Sequence, residues 1–177
     1  MSETQQPVDA GDNRLNAIGV INRREIEARV IGPLIDAMSA EFGRERVLEV
    51  ARETIVRIAR EQGAEMAAAL GDNSLSRFNE ATEHWKAGGA LEIETLEATD
   101  EVLAFNVRRC RYAEMYRSLG LADLGGLLSC NRDYAAIEGF NPDVELIRTQ
   151  TIMQGAAYCD FRYRLNKQKP ASDANGA

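Results

Sequence analysis

Leu91-Glu92-Ile93-Glu94-Thr95 and Leu103-Ala104-Phe105-Asn106-Val107-Arg108, on either side of Ala98-Thr99-Asp100-Glu101, decide the fold class. In the first run Leu91, Ile93 and Thr95 alternate with glutamates; in the second Leu103, Phe105 and Val107 alternate with smaller or polar residues. A period of two is the signature of a strand with one face buried, and two such runs across a polar turn predict a β-hairpin. From Asn22 up to this point the apolar residues repeat with the longer period of a helix.

Upstream, Ile26, Val30, Leu34, Ala37 and Ala40 recur at helical spacing from Asn22, a candidate N-cap, to Gly43, with Pro33 as a candidate kink. A second helix carries Val47, Val50, Ala51, Ile55, Ile58 and Ala59 on one stripe and is expected to end near Gly63. A third runs from about Ser74 to Lys86 and is broken by Gly88-Gly89. Downstream of the hairpin, 111–119 and 124–137 read as helices separated by Gly120 and followed by Gly139. A second hairpin is then predicted, with strands at about 144–153 and 158–165 joined across 154–157. In its last strand Cys159, Phe161, Tyr163 and Leu165 share one face, and Asp160, Arg162 and Arg164 the other. The expected architecture is α+β: N-terminal helices, then two β-hairpins forming an antiparallel sheet, split by a helical insert.

Length and composition bound the function. At 177 residues and 45% hydrophobic, the chain supports one domain, expected over 16–165, with flexible polar tails at 1–15 and 166–177. A formal charge of −7 argues against nucleic acid as a partner, because phosphate binding needs a basic surface. No apolar run reaches membrane-spanning length and the N-terminus does not read as a secretory signal, so a cytoplasmic protein is expected. Three cysteines, an odd number in a reducing compartment, read as thiols and not as a disulfide framework.

Those cysteines are the candidate chemistry. Cys110 follows Arg109; Cys130 and Asp133 lie three apart on a predicted helix with Arg132 beside them; Cys159 precedes Asp160. A neighbouring carboxylate raises a thiol pKa and an arginine lowers it, and the thiolate is the form that attacks carbon or binds metal. Buried cysteines that simply fill space are the bland alternative. His84, the single histidine, sits at the end of a predicted helix, so a metal site here would draw on Cys and Asp/Glu. Gly-rich phosphate loops, His-Glu-x-x-His helices and Cys-x-x-Cys pairs are absent from the sequence.

Taken together, Phe105 to Glu114, Ser129-Cys130-Asn131-Arg132-Asp133, Phe140-Asn141-Pro142, Arg148-Thr149-Gln150-Thr151 and Gly155 to Phe161 resemble the L-2-amino-thiazoline-4-carboxylate hydrolase family over about residues 105 to 163. The resemblance implies a bacterial hydrolase that opens a small cyclic amidine toward a carbamoyl amino acid. The Gly-x-x-x-Cys-x-Phe ending is also similar, more faintly, to the 4-vinyl reductase small-molecule-binding domain, which implies a non-catalytic rival.

Three readings follow. In a thiol hydrolase acting on a C–N or C–S bond, Cys159 or Cys130 attacks, with Cys159 narrowly preferred, and Asp133 or Asp160 moves protons. Substrate binding is assigned to Arg109, Arg132, Arg148, Thr149, Cys110 and His84, an arginine holding a substrate carboxylate. In a metal hydrolase Cys130, Asp133 and Cys159 would hold a divalent ion and its water, with Cys110 able to replace one of them. In a binding module the same groups recognise a heterocycle without turnover. The amphipathic helices are compatible with a homo-oligomer.

Overall fold

A computed structural model describes residues 18–166; the tails expected at 1–15 and from 167 onward lie outside the described residues. Asn166 still belongs to the fold, its N–H donating to the Asp143 carbonyl at 2.7 Å. Helix α1 spans Val20–Phe42 and α2 spans Arg44–Leu70, the two meeting at Gly43, whose φ of 85° suits a residue without a Cβ. Helix α3, Leu75–Ala81, is capped by the Ser74 hydroxyl, which accepts from the Arg77 N–H at 3.3 Å. It passes into 3-10 turns that end at Gly88 and Gly89, both at positive φ.

The expected hairpin follows: β1, Leu91–Ala98, pairs antiparallel with β2, Val102–Cys110. The helical insert comprises α4, Arg111–Ser118, then α5, Ala122–Gly125, a π-helical turn over Gly126–Cys130, and α6, Asn131–Phe140. Strands β3, Val144–Ile147, and β4, Cys159–Leu165, complete the sheet in the order β1-β2-β4-β3, every neighbouring pair antiparallel. The α+β reading therefore holds, helices first and then two strand pairs around an insert. One core joins Phe78, Phe140, Leu103, Phe161 and Tyr163 between helices and sheet; a second joins Ile35, Ile55, Tyr116, Leu124 and Leu128 among the helices.

Four local expectations are corrected. Helix α2 does not stop near Gly63, and α6 runs through Gly139 to Phe140. Gly63, buried, and Gly139, half-buried, sit at the α2–α6 crossing, where a Cβ on Gly63 would lie 2.1 Å from the Ala136 carbonyl oxygen and one on Gly139 would lie 2.0 Å from that of Arg60. They are spacers that let two backbones touch, not terminators. On α1, Ile26, Val30 and Leu34 face outward, and the buried side is Ala28, Gly32 and Ile35. Finally, the first strand of the second hairpin ends at Ile147, not near Met153. Beyond it the Asp160 carboxylate accepts the backbone N–H of Thr149 at 3.0 Å and of Gln150 at 2.9 Å, taking those donors out of any ladder.

Candidate functional site

A cavity of about 260 Å³ opens where the helical insert meets the segment after β3. One wall is helical: Gly126 and Cys130 from the π turn, Asn131 and Tyr134 from α6. The π turn carries an extra residue per turn, a feature that recurs at functional sites, and here it ends on Cys130. The other wall is Arg148, Thr149, Gln150, Thr151 and Gln154. That wall is held by side chains: Asp160 also accepts from the Thr149 hydroxyl at 2.6 Å, and the Thr151 hydroxyl caps the 3-10 turn Ile152–Gln154.

Arg148 is the centre of this geometry. Its side chain is 5% exposed, and its guanidinium lies 4.8 Å over the Phe161 ring and 5.0 Å over the Tyr134 ring. Nη1 donates to Asp133 Oδ2 at 2.5 Å and Nη2 to the Cys130 carbonyl at 3.0 Å. Burial works against the Arg148 charge, yet the Asp133 carboxylate holds its pKa above the ordinary value. Burial pushes the Asp133 carboxyl up, and Arg148 opposes it. Asp160 differs: burial also pushes it up, but the hydrogen bonds from Thr149 and Gln150 together outweigh that and leave it below the ordinary carboxylate value.

The three thiols sit within electrostatic reach of one another, and all are suppressed as thiolates. Cys130 is pushed up to about 12, by burial first and then by Asp133. Cys110 is pushed up to about 11, chiefly by burial, at the junction of the hydrophobic clusters. Cys159 is buried and also raised by burial; its Sγ accepts the Ile152 N–H at 3.2 Å.

Of the residues singled out in the sequence, Cys130, Arg148 and Thr149 line the cavity, with Asp133 directly behind Arg148 and Asp160 behind Thr149. Cys110 and Cys159 are not among its lining residues. Arg132 is turned toward α1, donating from Nε to the Leu128 carbonyl and from Nη2 to Glu27, which Arg24 also engages. Burial and the nearby Arg24 lower its pKa to about 10. Arg109 lies on the surface between Glu92 and Glu114. His84 stands beside Trp85, its pKa lowered by burial. Among the described residues no group of three or more His, Cys, Asp or Glu side chains is arranged to hold a metal ion. The sequence reading missed Gly126, Tyr134, Asn131, Gln150, Thr151 and Gln154. Gln150 and Thr151 stand inside the Arg148 motif and Asn131 beside Cys130; Tyr134 and Gln154 carry no local signal. No helix among the described residues is long and apolar enough to cross a membrane.

A family model described as L-2-amino-thiazoline-4-carboxylic acid hydrolase matches residues 23–163. No curated protein matches the chain. Among solved structures, it is similar to a trafficking protein particle complex subunit 3 from Naegleria fowleri covalently bound to palmitic acid, with 11% identity and a TM-score of 0.48, over 81% of this chain and 95% of that one. It is also similar to the phenol-responsive sensory domain of the transcription activator PoxR with phenol, with 11% identity and a TM-score of 0.39, over 93% of this chain and 79% of that one.

Proposed function

This chain belongs to the L-2-amino-thiazoline-4-carboxylic acid hydrolase family, and from that we propose that it hydrolyses the amidine carbon of a small heterocyclic carboxylic acid, with Cys130 as the nucleophile. The observation that carries the assignment to Cys130 is the cavity itself: its lining joins one thiol, the buried Arg148 guanidinium and a ring of amides and hydroxyls. Its volume suits a ligand the size of 2-aminothiazoline-4-carboxylate. Cys159, preferred on sequence grounds, is buried beneath the Ile152 N–H and is the weaker candidate.

In this mechanism the Cys130 sulfur adds to the ring carbon that bears the exocyclic nitrogen. The ring C–S bond breaks, and the thiol proton ends on the departing sulfur, leaving an isothiourea linked to Cys130. Water then adds to the same carbon, the Cys130 sulfur leaves and regains a proton, and a carbamoyl amino acid is released with one water gained. At neutral pH a thiol near 12 is ionised to roughly one part in 10⁵, so the attack needs a proton acceptor at hand. Asp133, three residues along and raised in proton affinity by burial, supplies one, and Arg148 stabilises negative charge that develops at the cavity wall. Asn131, Gln150 and Gln154 orient the amidine and carboxylate.

The test is incubation of the protein with 2-aminothiazoline-4-carboxylate, following products and intact protein by mass spectrometry, with and without chelator. The expected result is a product one water heavier, an adduct of full substrate mass on Cys130, and loss of at least ~10³-fold in rate on Cys130→Ser but not on Cys159→Ser. Wild-type turnover by Cys130→Ser refutes the assignment, and loss of activity on chelation moves the nucleophile to a metal-bound water. A second reading, binding without turnover, is favoured by the suppression of all three thiolates; measurable hydrolysis ends it.

A further inference from the structure

We propose that two copies of this chain associate through the outward face of α1. Ile26, Val30, Leu34, Met38 and Phe42, spaced by four, are 58, 65, 54, 38 and 66% exposed, and Pro33 and Ala37 between them are exposed as well. A helix of a small domain ordinarily turns its apolar stripe inward. Here α1 does bury one side, Ala28, Gly32 and Ile35 against the helical core, and then carries a second apolar row toward solvent.

The amount of surface argues for a cognate partner. Five side chains of this size and exposure leave on the order of 600 Å² of apolar surface in one strip, the upper limit of what a monomer usually shows. A two-fold contact that covered the whole row would bury at most roughly 1,200 Å² from both copies, the lower edge of specific interfaces. The shape fits self-association too. A row spaced by four forms an oblique ridge, and two such ridges interlock when helices cross at about −50°, with small residues such as Ala37 admitting close approach at the centre. Charges lie at the margins and in both signs, Glu25 and Arg29 on one side, Asp36, Glu41 and Arg44 toward the other end, so a second copy meets no uniform field.

The terminal segments are poor occupants by composition. Residues 1–17 contain Met1, Val8 and Leu15 as large apolar side chains, and 167–177 contain none, against the five that need cover. Helix α2 directs Ile55 and Ala59 into the core and leaves charged residues outside. Another α1 supplies the matching row.

Sedimentation velocity over 1–100 µM tests the proposal, with the full chain as wild type and with Val30→Glu and Leu34→Glu. The expected result is a wild-type dimer of about 39 kDa, twice 19.6 kDa, and at least a ~100-fold weaker association in each variant, because each charge enters a two-fold contact twice. Circular dichroism verifies that the variants stay folded. Independently, a cysteine introduced at Val30, Leu34 or Ala37 forms a disulfide-linked dimer on mild oxidation, whereas one at the exposed Arg57 of α2 does not. A wild-type monomer at every concentration, a dimer that survives both charges, or crosslinking no better at α1 than at Arg57 overturns the proposal.

Discussion

Asp133→Asn removes one charge from a pair whose arginine is 5% exposed, while keeping the shape of the side chain. The remaining guanidinium keeps the Cys130 carbonyl at 3.0 Å and two aromatic faces, none of which carries a full negative charge. Breaking a buried pair on one side costs about 3 kcal/mol, because the orphaned charge stays desolvated. For a domain of this size that lowers Tm by roughly 6–12 °C. Replacing both partners, Asp133→Leu with Arg148→Met, removes the orphan and is expected to return stability to within about 1 kcal/mol of wild type. Urea unfolding of wild type, Asp133→Leu, Arg148→Met and the double variant gives the cycle, with Asp133→Asn measured alongside. The same Asp133→Asn substitution has a chemical readout: Asp133 is the largest charge raising the Cys130 thiol, after burial, so its neutralisation is expected to speed iodoacetamide labelling of Cys130 at pH 8. If Asp133→Asn costs less than about 1 kcal/mol, or the double replacement costs as much as the single, the pair is not desolvated in solution and the argument for Arg148 fails.

Gly139→Ala is expected to cost about 3 kcal/mol in urea unfolding or to prevent folding, because its Cβ would meet the Arg60 backbone; Gly125→Ala meets the Met153 side chain first and then the Tyr116 ring, and costs about half as much in the same assay. Asp160 titrates lower in the folded chain than in the unfolded one, so its stabilisation is complete above about pH 4 and is lost as pH falls through the folded value. Asp133, raised by burial, works in the opposite sense, so the contrast is read by comparing wild type with Asp160→Asn: the variant should show a flatter acid limb in Tm between pH 5 and 3. Unmodified Cys110 and Cys130 should resist iodoacetamide at pH 7 in the absence of ligand and react faster as pH rises past 9, a profile absent if either thiol is ionised at rest.

Legibility in the sequence followed how local each cause is. The alternation in Leu91–Thr95 and Leu103–Val107 named the hairpin, and the face shared by Cys159, Phe161 and Tyr163 is the buried face of β4, because a strand's period of two survives any packing. Gly63 and Gly139 were misread as helix ends because the same residue marks a left-handed cap, as Gly71 does, and a helix crossing, where the reason lies in a segment distant along the chain, Ala136 for Gly63 and Arg60 for Gly139. The outward row on α1 was legible as a helix but not as its solvent side, since periodicity gives spacing and not the identity of the neighbour. For the site, Cys130, Asp133, Arg148 and Thr149 were visible because they cluster in short motifs. Tyr134 and Gln154 were not, because they meet the others only after the π turn and the Asp160-held segment fold against each other.

The two cavity walls differ in how they can change. The helical wall is clamped from behind: α6 touches α2 through bare backbone at Gly63 and Gly139, so any shift of Cys130, Asn131 or Tyr134 must move a contact that has no side chain to absorb it. The opposite wall hangs instead on side-chain hydrogen bonds, from the Asp160 carboxylate, the Thr151 hydroxyl and the Cys159 sulfur. Variation at Gln150 and Gln154 can thus reshape the ligand space while the thiol and its guanidinium neighbour stay put. On the proposed function, a library aimed at new heterocycles belongs at those two positions, because Arg148, although on the same wall, is pinned to Asp133 and the Cys130 carbonyl of the helical side.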